Sequence, residues 1–193
     1  MLHIDVILGS TRGDRFSERV ARWVAEGLSA RHDMEIELVD LRDHLLPFFD
    51  GISPIRTLRE YPTPEIQRFG NTIDRADGFV ILMPEYNHGY PAVLKNAIDH
   101  TWVEWRRKPV TFVGWGNVGG ARAIEQLRLV MVELEMAPLR HAVHILPDVL
   151  VPALRAPEFE PSMLDALLPK LTLMADDLHW WATALAAARE AAP

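Results

Sequence analysis

The chain has 193 residues, is 49% hydrophobic and carries a formal net charge of -7 at pH 7, enough for one unit with a full core and short for two. Its 20 basic residues are scattered among 27 acidic ones, which argues against nucleic acid as a partner, and no run of 18 apolar residues points to a membrane span. Zero cysteines exclude disulfides, thiolate nucleophiles, iron–sulfur clusters and cysteine zinc sites; with no basic leader ahead of Asp5, the expectation is a soluble cytoplasmic protein.

Residues 2–8 alternate apolar and polar before running apolar into Gly9-Ser10-Thr11-Arg12-Gly13, a strand followed by a loop. Val20, Trp23, Val24, Gly27 and Leu28 then fall at helical spacing. Residues 34–39 form a second strand pattern. A Pro- and Gly-rich excursion over 45–64 precedes a helix over about 65–75. The apolar run 78–83 predicts strand three, 92 to about 102 a helix, 110–114 strand four, 121 to about 135 a helix, and 142–146 strand five. After a Pro-rich link over 147–161, Leu164, Leu167, Leu168, Leu171, Met174, Leu178, Trp181 and Leu185 mark a last apolar stripe, core or subunit interface, with Pro169 at its start or at a kink.

Strands alternating with helices predict an α/β protein: a five-stranded parallel sheet of order 2-1-3-4-5 covered by helices on both faces, a flavodoxin-like three-layer sandwich. In such sheets ligands gather outside the carboxyl ends of the strands, at the switch between strands one and three. That topology nominates three loops: 9–17, 84–89 and 114–120.

The first loop ends on a helix amino terminus, where free N–H groups and the positive dipole end attract anions. Ser10, Thr11 and Ser17 offer hydroxyls there, and Arg12 and Arg15 offer charge. A phosphate fits; so does an ordinary polar cap. No P-loop pattern is present. The second loop supplies Tyr86, whose ring can stack on a flat ligand, and Asn87, with a paired donor and acceptor, while Gly89 allows close backbone approach. The third, Gly114-Trp115-Gly116-Asn117-Val118-Gly119-Gly120, spells GxGxxG between a strand and a helix, with Glu133 and Glu135 about 20 residues on. It follows strand four rather than the first strand of its unit, so a tight turn and a close approach to a flat ring remain open beside a dinucleotide site. No GxSxG elbow surrounds Ser10. His141 and His144 lack the spacing of a metal site, and Asp99 and His100 point in different directions on a helix.

Together these loops resemble the NADPH-dependent FMN reductase family of flavodoxin-like proteins. The specific part is Pro84-Glu85-Tyr86-Asn87-His88-Gly89-Tyr90-Pro91-Ala92-Val93-Leu94-Lys95-Asn96-Ala97-Ile98-Asp99, similar to the family's PEYN signature. Gly9-Ser10-Thr11-Arg12 resembles its phosphate loop, with Arg15 and Ser17 where Ser and Asn are common, and Lys108-Pro109-Val110 with Gly114-Trp115-Gly116 resembles its third flavin-contacting loop. The resemblance implies a single flavodoxin-like FMN-binding domain over 1–193. By it, Ser10, Arg12, Arg15, Phe16 and Ser17 lie at the FMN phosphate, Pro84, Glu85, Tyr86 and Asn87 line the ring, and Gly114, Trp115 and Gly116 close its other edge. It further implies NADPH or NADH as electron donor, a small-molecule acceptor such as a quinone, an azo dye or free flavin, ping-pong kinetics, no dedicated catalytic side chain, no metal, and a homodimer or homotetramer. Two other readings stay open: a flavin-binding carrier or sensor without turnover, and a nicotinamide-binding dehydrogenase using Gly114, Gly116 and Gly119.

Overall fold

The computed structural model describes residues 1–44, 46–51 and 59–191. Parallel strands β1 (Leu2–Leu8), β2 (Met34–Asp40), β3 (Gly78–Pro84) and β4 (Pro109–Trp115) pair in the order β2-β1-β3-β4. Every residue of β3 and β4 is buried, which is why both read as near-continuous apolar runs: a central parallel strand is covered on both faces. β2, at the edge, is buried only at Met34 and Val39.

The fifth strand is in two pieces. β5 (Ala137–Pro138) pairs with Pro109 and Val110, and β6 (Val143–Ile145) pairs with Val113 to Trp115. The register slips by two residues between the pieces, since Val110 faces Pro138 while Val113 faces Val143. The expected strand 142–146 is therefore shorter and preceded by a bulge. Pro138 has no N–H to extend the ladder, and Thr111 Oγ1 donates to the His141 carbonyl inside the bulge (2.6 Å).

Among the described residues the helices are α1 (Ser17–Ser29), α2 (Pro64–Arg75), α3 (Ala92–Asp99), α4 (Ala121–Glu133), α5 (Pro147–Arg155) and α6 (Leu168–Glu190), with a 3₁₀ segment at Pro161–Leu167. α1 and α6 cover the sheet face carrying Ile4, Val6 and Leu8, and α2, α3 and α4 cover the face carrying Ile7, Phe79 and Phe112. The region read as a Pro-rich link contains α5: Pro147 stands in its first turn with Asp148, and Arg155 stands in its last, a charge order that suits the helix dipole. In the final stripe, Leu164, Leu167, Leu171, Met174 and Leu178 are buried, whereas Leu168 and Trp181 are exposed and Leu185 is half-buried. The 3₁₀ turn has three residues per turn rather than 3.6, so one straight stripe cannot run through both. Pro169 lies in the first turn of α6 and starts it.

The excursion over 45–64 is described apart from Leu45 and residues 52–58, which lie outside the described residues. Its first part docks on α3. The Pro47 carbonyl accepts from Asn96 Nδ2 and stands 2.8 Å from His100 Nε2, and Phe49 N–H donates to Asn96 Oδ1 (2.9 Å). Among the described residues no helix is long and apolar enough to cross a membrane.

Candidate functional site

A cleft of about 280 Å³ opens at the carboxyl ends of β1, β3 and β4. The run from Ser10 to Ser17 forms one wall. Arginines strap this loop from behind. Arg15, its side chain only 2% exposed, donates to the Ser10 carbonyl and pairs with Asp40 at the end of β2 and with Glu18. Arg42 donates to the carbonyls of Arg12 and Gly13 and to Glu18. A trans peptide carries its C=O and N–H on opposite sides. Carbonyls turned to the arginines therefore leave the amides of Thr11, Gly13 and Asp14 directed away from them. Burial pushes the Asp40 carboxyl up, but the hydrogen bonds from Arg15 and from Arg42 N–H outweigh it and hold the group below its ordinary range.

α1 begins at the end of this wall with no side-chain cap. The Ser17 hydroxyl is buried there without a hydrogen-bond partner among the described residues. A buried polar group left unpaired costs about 1–3 kcal/mol, a cost that an acceptor from outside the chain would relieve. Arg12 lines the same cleft: its guanidinium lies 5.9 Å from the Tyr86 ring centroid and 3.5 Å from Asp14.

The second wall is the β3 exit. Glu85 N–H donates to the Trp115 carbonyl (2.9 Å), and its carboxylate takes Arg122 Nε (2.7 Å) and Arg122 N–H (3.2 Å) at the start of α4. Burial raises the Glu85 pKa, but these contacts win and lower it overall. Tyr86 and Gly89 exchange both backbone hydrogen bonds (2.9 Å each), closing a two-residue turn in which Asn87 (φ 49°) and His88 (φ 70°) are left-handed, the geometry of a type I′ hairpin. The Tyr86 hydroxyl lies 3.1 Å from Ser10 Oγ and joins the two walls.

Trp115 and Phe16 form the floor, edge to face with centroids 6.0 Å apart. Phe159 meets Phe16 from the other side at 6.1 Å.

Of the residues expected here, Ser10, Arg12, Arg15, Phe16, Ser17, Pro84, Glu85, Tyr86, Trp115 and Gly116 line the cleft. Asn87 and Gly114 do not. Asn87 is spent on the left-handed turn and is exposed. Gly114 lies behind the wall, where an added Cβ would stand 3.0 Å from the Gly119 carbonyl oxygen and 3.2 Å from Gly120 Cα. Nor is Gly89 the conformationally special residue of its turn, since the positive φ angles belong to its two predecessors. The Arg15 guanidinium holds the loop from beneath. Sequence reasoning missed Leu154, which lines the cleft from α5, together with Asp14, Arg42 and Asp40. Arg19 could have signalled α5's place only through its contact with the Ala153 carbonyl (2.6 Å), which no local pattern encodes.

The other singled-out groups are used elsewhere. Asp99 pairs with Lys95 (2.7 Å), His141 Nδ1 lies 3.1 Å from Asp177, and His144 Nδ1 lies 3.0 Å from the Gly119 carbonyl.

Known proteins are similar to this chain in sequence and in fold. The family model for NADPH-dependent FMN reductase matches residues 2–148. An NAD(P)H-dependent FMN reductase of Schizosaccharomyces pombe is 37% identical over 159 residues, 80% of this chain and 79% of the relative. A 2-hydroxy-1,4-benzoquinone reductase of a Burkholderia species is 34% identical over 145 residues, 70% of this chain and 73% of the relative. Among solved structures, FerB, a flavoenzyme NAD(P)H:(acceptor) oxidoreductase of Paracoccus denitrificans, superposes with a TM-score of 0.69 over 93% of this chain and 98% of its own at 20% identity, a likeness of fold. With a family model covering most of its length and relatives above 30% identity, the chain belongs to the NADPH-dependent FMN reductase family.

Proposed function

We propose that the protein is an FMN-dependent NAD(P)H oxidoreductase that reduces a small acceptor of the quinone, azo or flavin type. The observation that carries this reading is the unpaired, buried Ser17 hydroxyl at the uncapped start of α1, in the same cleft as the aromatic groups Tyr86, Phe16 and Trp115. An anionic group attached to a flat ring system answers both features at once. When bound, FMN supplies the reversible two-electron chemistry that no side chain here can carry.

The chain's own residues bind, orient and shield. Ser10, Ser17, the loop amides and the Arg12 guanidinium hold the phosphate by charge-assisted hydrogen bonds. Arg15 and Arg42 act one layer out by fixing the loop's carbonyls. Pro84, Glu85 and Tyr86 border the ring on one side and Trp115 with Gly116 on the other. Glu85, neutralised by Arg122, shapes the wall without offering a free carboxylate. Donor and acceptor use one open face in turn, which predicts parallel lines in double-reciprocal plots; convergent lines would count against it. A homodimer or homotetramer would cover Leu129 and Val132, which α4 leaves widely exposed, and a monomer by light scattering would retire that part.

The test is the visible spectrum of the purified protein loaded with FMN and freed of excess, before and after anaerobic NADPH. Retained flavin bands that bleach support the oxidoreductase. Retained bands that do not bleach favour a carrier or sensor, and absence of retained flavin overturns the assignment of the cleft.

A further inference from the structure

β1 and β2 run parallel with His3 opposite Glu35 and Asp5 opposite Glu37. Side chains two apart on a strand share a face, so this register gathers four chemistry-bearing residues on the face covered by α2. His3 and Asp5 lie seven and five residues before Ser10, so Asp5 stands on the order of 16 Å along β1 from the cleft, with Glu35 and Glu37 beside them on β2.

His3 Nε2 lies 3.2 Å from Asp5 Oδ1 and 3.2 Å from Glu37 Oε2, and one ligand atom from each of the three residues falls within 4.8 Å of the others. The Asp5 side chain is fully buried, yet neither of its oxygens has a hydrogen-bond partner among the described residues, and the same holds for His3 Nε2. Two carboxylates thus converge on a ring nitrogen at close range without alignment for a hydrogen bond to either.

The geometry points to a divalent metal site with His3 Nε2, Asp5 Oδ1 and Glu37 Oε2 as ligands and zinc as its best-fitting occupant. With bonds of about 2.1 Å, tetrahedral ligand atoms stand about 3.4 Å apart, near the two spacings seen. Imidazole with carboxylates is a donor set suited to zinc, whereas magnesium asks for six oxygens. A metal-bound imidazole usually gives its other nitrogen to an acceptor; Glu35 Oε2 is the carboxylate on that side, 3.8 Å from His3 Nδ1 and so beyond hydrogen-bond distance. Arg75 occupies Glu37 Oε1 and leaves Oε2 facing His3. His3 and Glu37 are partly exposed, at 20% and 36% of their side chains, which gives an ion an entry path to the buried Asp5. Such a site would tie the edge strand β2 to β1 far from the cleft.

The test is calorimetric titration of the metal-stripped full-length protein with zinc chloride, alongside its thermal midpoint with and without zinc. One zinc per chain and a raised midpoint are expected. Glu37→Gln and His3→Gln should each weaken binding at least about tenfold and abolish the midpoint shift. Both positions are partly exposed, so at least one variant should keep the parent's far-UV circular dichroism and serve the test. Magnesium in place of zinc should give no heat. Absence of zinc binding, or binding undiminished in both variants, would overturn the site.

Discussion

Two loops at one sheet edge are both rich in small and polar residues, and they solve opposite problems. The loop after β1 is held from outside: Arg15 and Arg42 take its carbonyls, Asp40 and Glu18 anchor the arginines, and a buried Ser17 hydroxyl is left unpaired. The loop after β4 is closed on itself. Gly114 and Gly120 meet backbone to backbone, so a Cβ at Gly120 (φ 72°) would stand 2.8 Å from Gly114 Cα. The comparison teaches that unpaired donors stay available to a ligand, whereas a glycine pattern need not. Glycines can be consumed by their own turn.

The largest expected effect is at the closed loop. Gly120→Ala combines a left-handed conformation with a contact no backbone can yield, and should destabilise by about 3 kcal/mol or more in urea unfolding. Unchanged stability with loss of nicotinamide binding would instead restore the dinucleotide reading of Gly114, Gly116 and Gly119.

Arg15→Met should cost about 2–3 kcal/mol of stability, less than for a fully buried pair because Asp40 keeps some exposure. It also tests a pH dependence. The folded Asp40 carboxyl titrates below its ordinary value of 3.8, so its contribution is present above that value and is lost as the pH falls through the folded pKa. Guanidinium removal should flatten that acid-side loss, and an unaltered acid limb would dissolve the strut.

Arg12→Ala should behave oppositely: stability unchanged, because its side chain is largely exposed, and FMN loosened by about 1.5–3 kcal/mol in fluorescence titration. Equal FMN affinity would remove Arg12 from the phosphate site. Ser17→Ala is the subtlest test. The flavin-free protein should be no less stable, since the hydroxyl has no partner to lose, while FMN weakens by about 1.5 kcal/mol, the low end for a hydrogen bond to a charged group. Destabilisation without loss of affinity would show that the hydroxyl serves the fold.

The sheet was legible because its signals are local. A parallel strand buried on both faces reads as a near-continuous apolar run, and a helix between two such strands must bury a stripe, so residues 78–83 and 110–114 announced β3 and β4 and, with them, the sheet edge where the cleft opens. Most of the cleft lining was legible for the same reason. Sequence did not reveal how each residue there is employed. Asn87 was read as a ligand group, and the fold sets its backbone in a left-handed turn; Arg15 was read as a phosphate ligand, and its guanidinium pairs with Asp40, 25 residues on, while still lining the cleft. Local periodicity and turn chemistry determined the elements and their order, because those depend on neighbours in the chain. Tertiary structure alone decided which donors remain unpaired, and which of His3, Asp5 and Glu37 meet, because pairing depends on distances that only the folded sheet register sets.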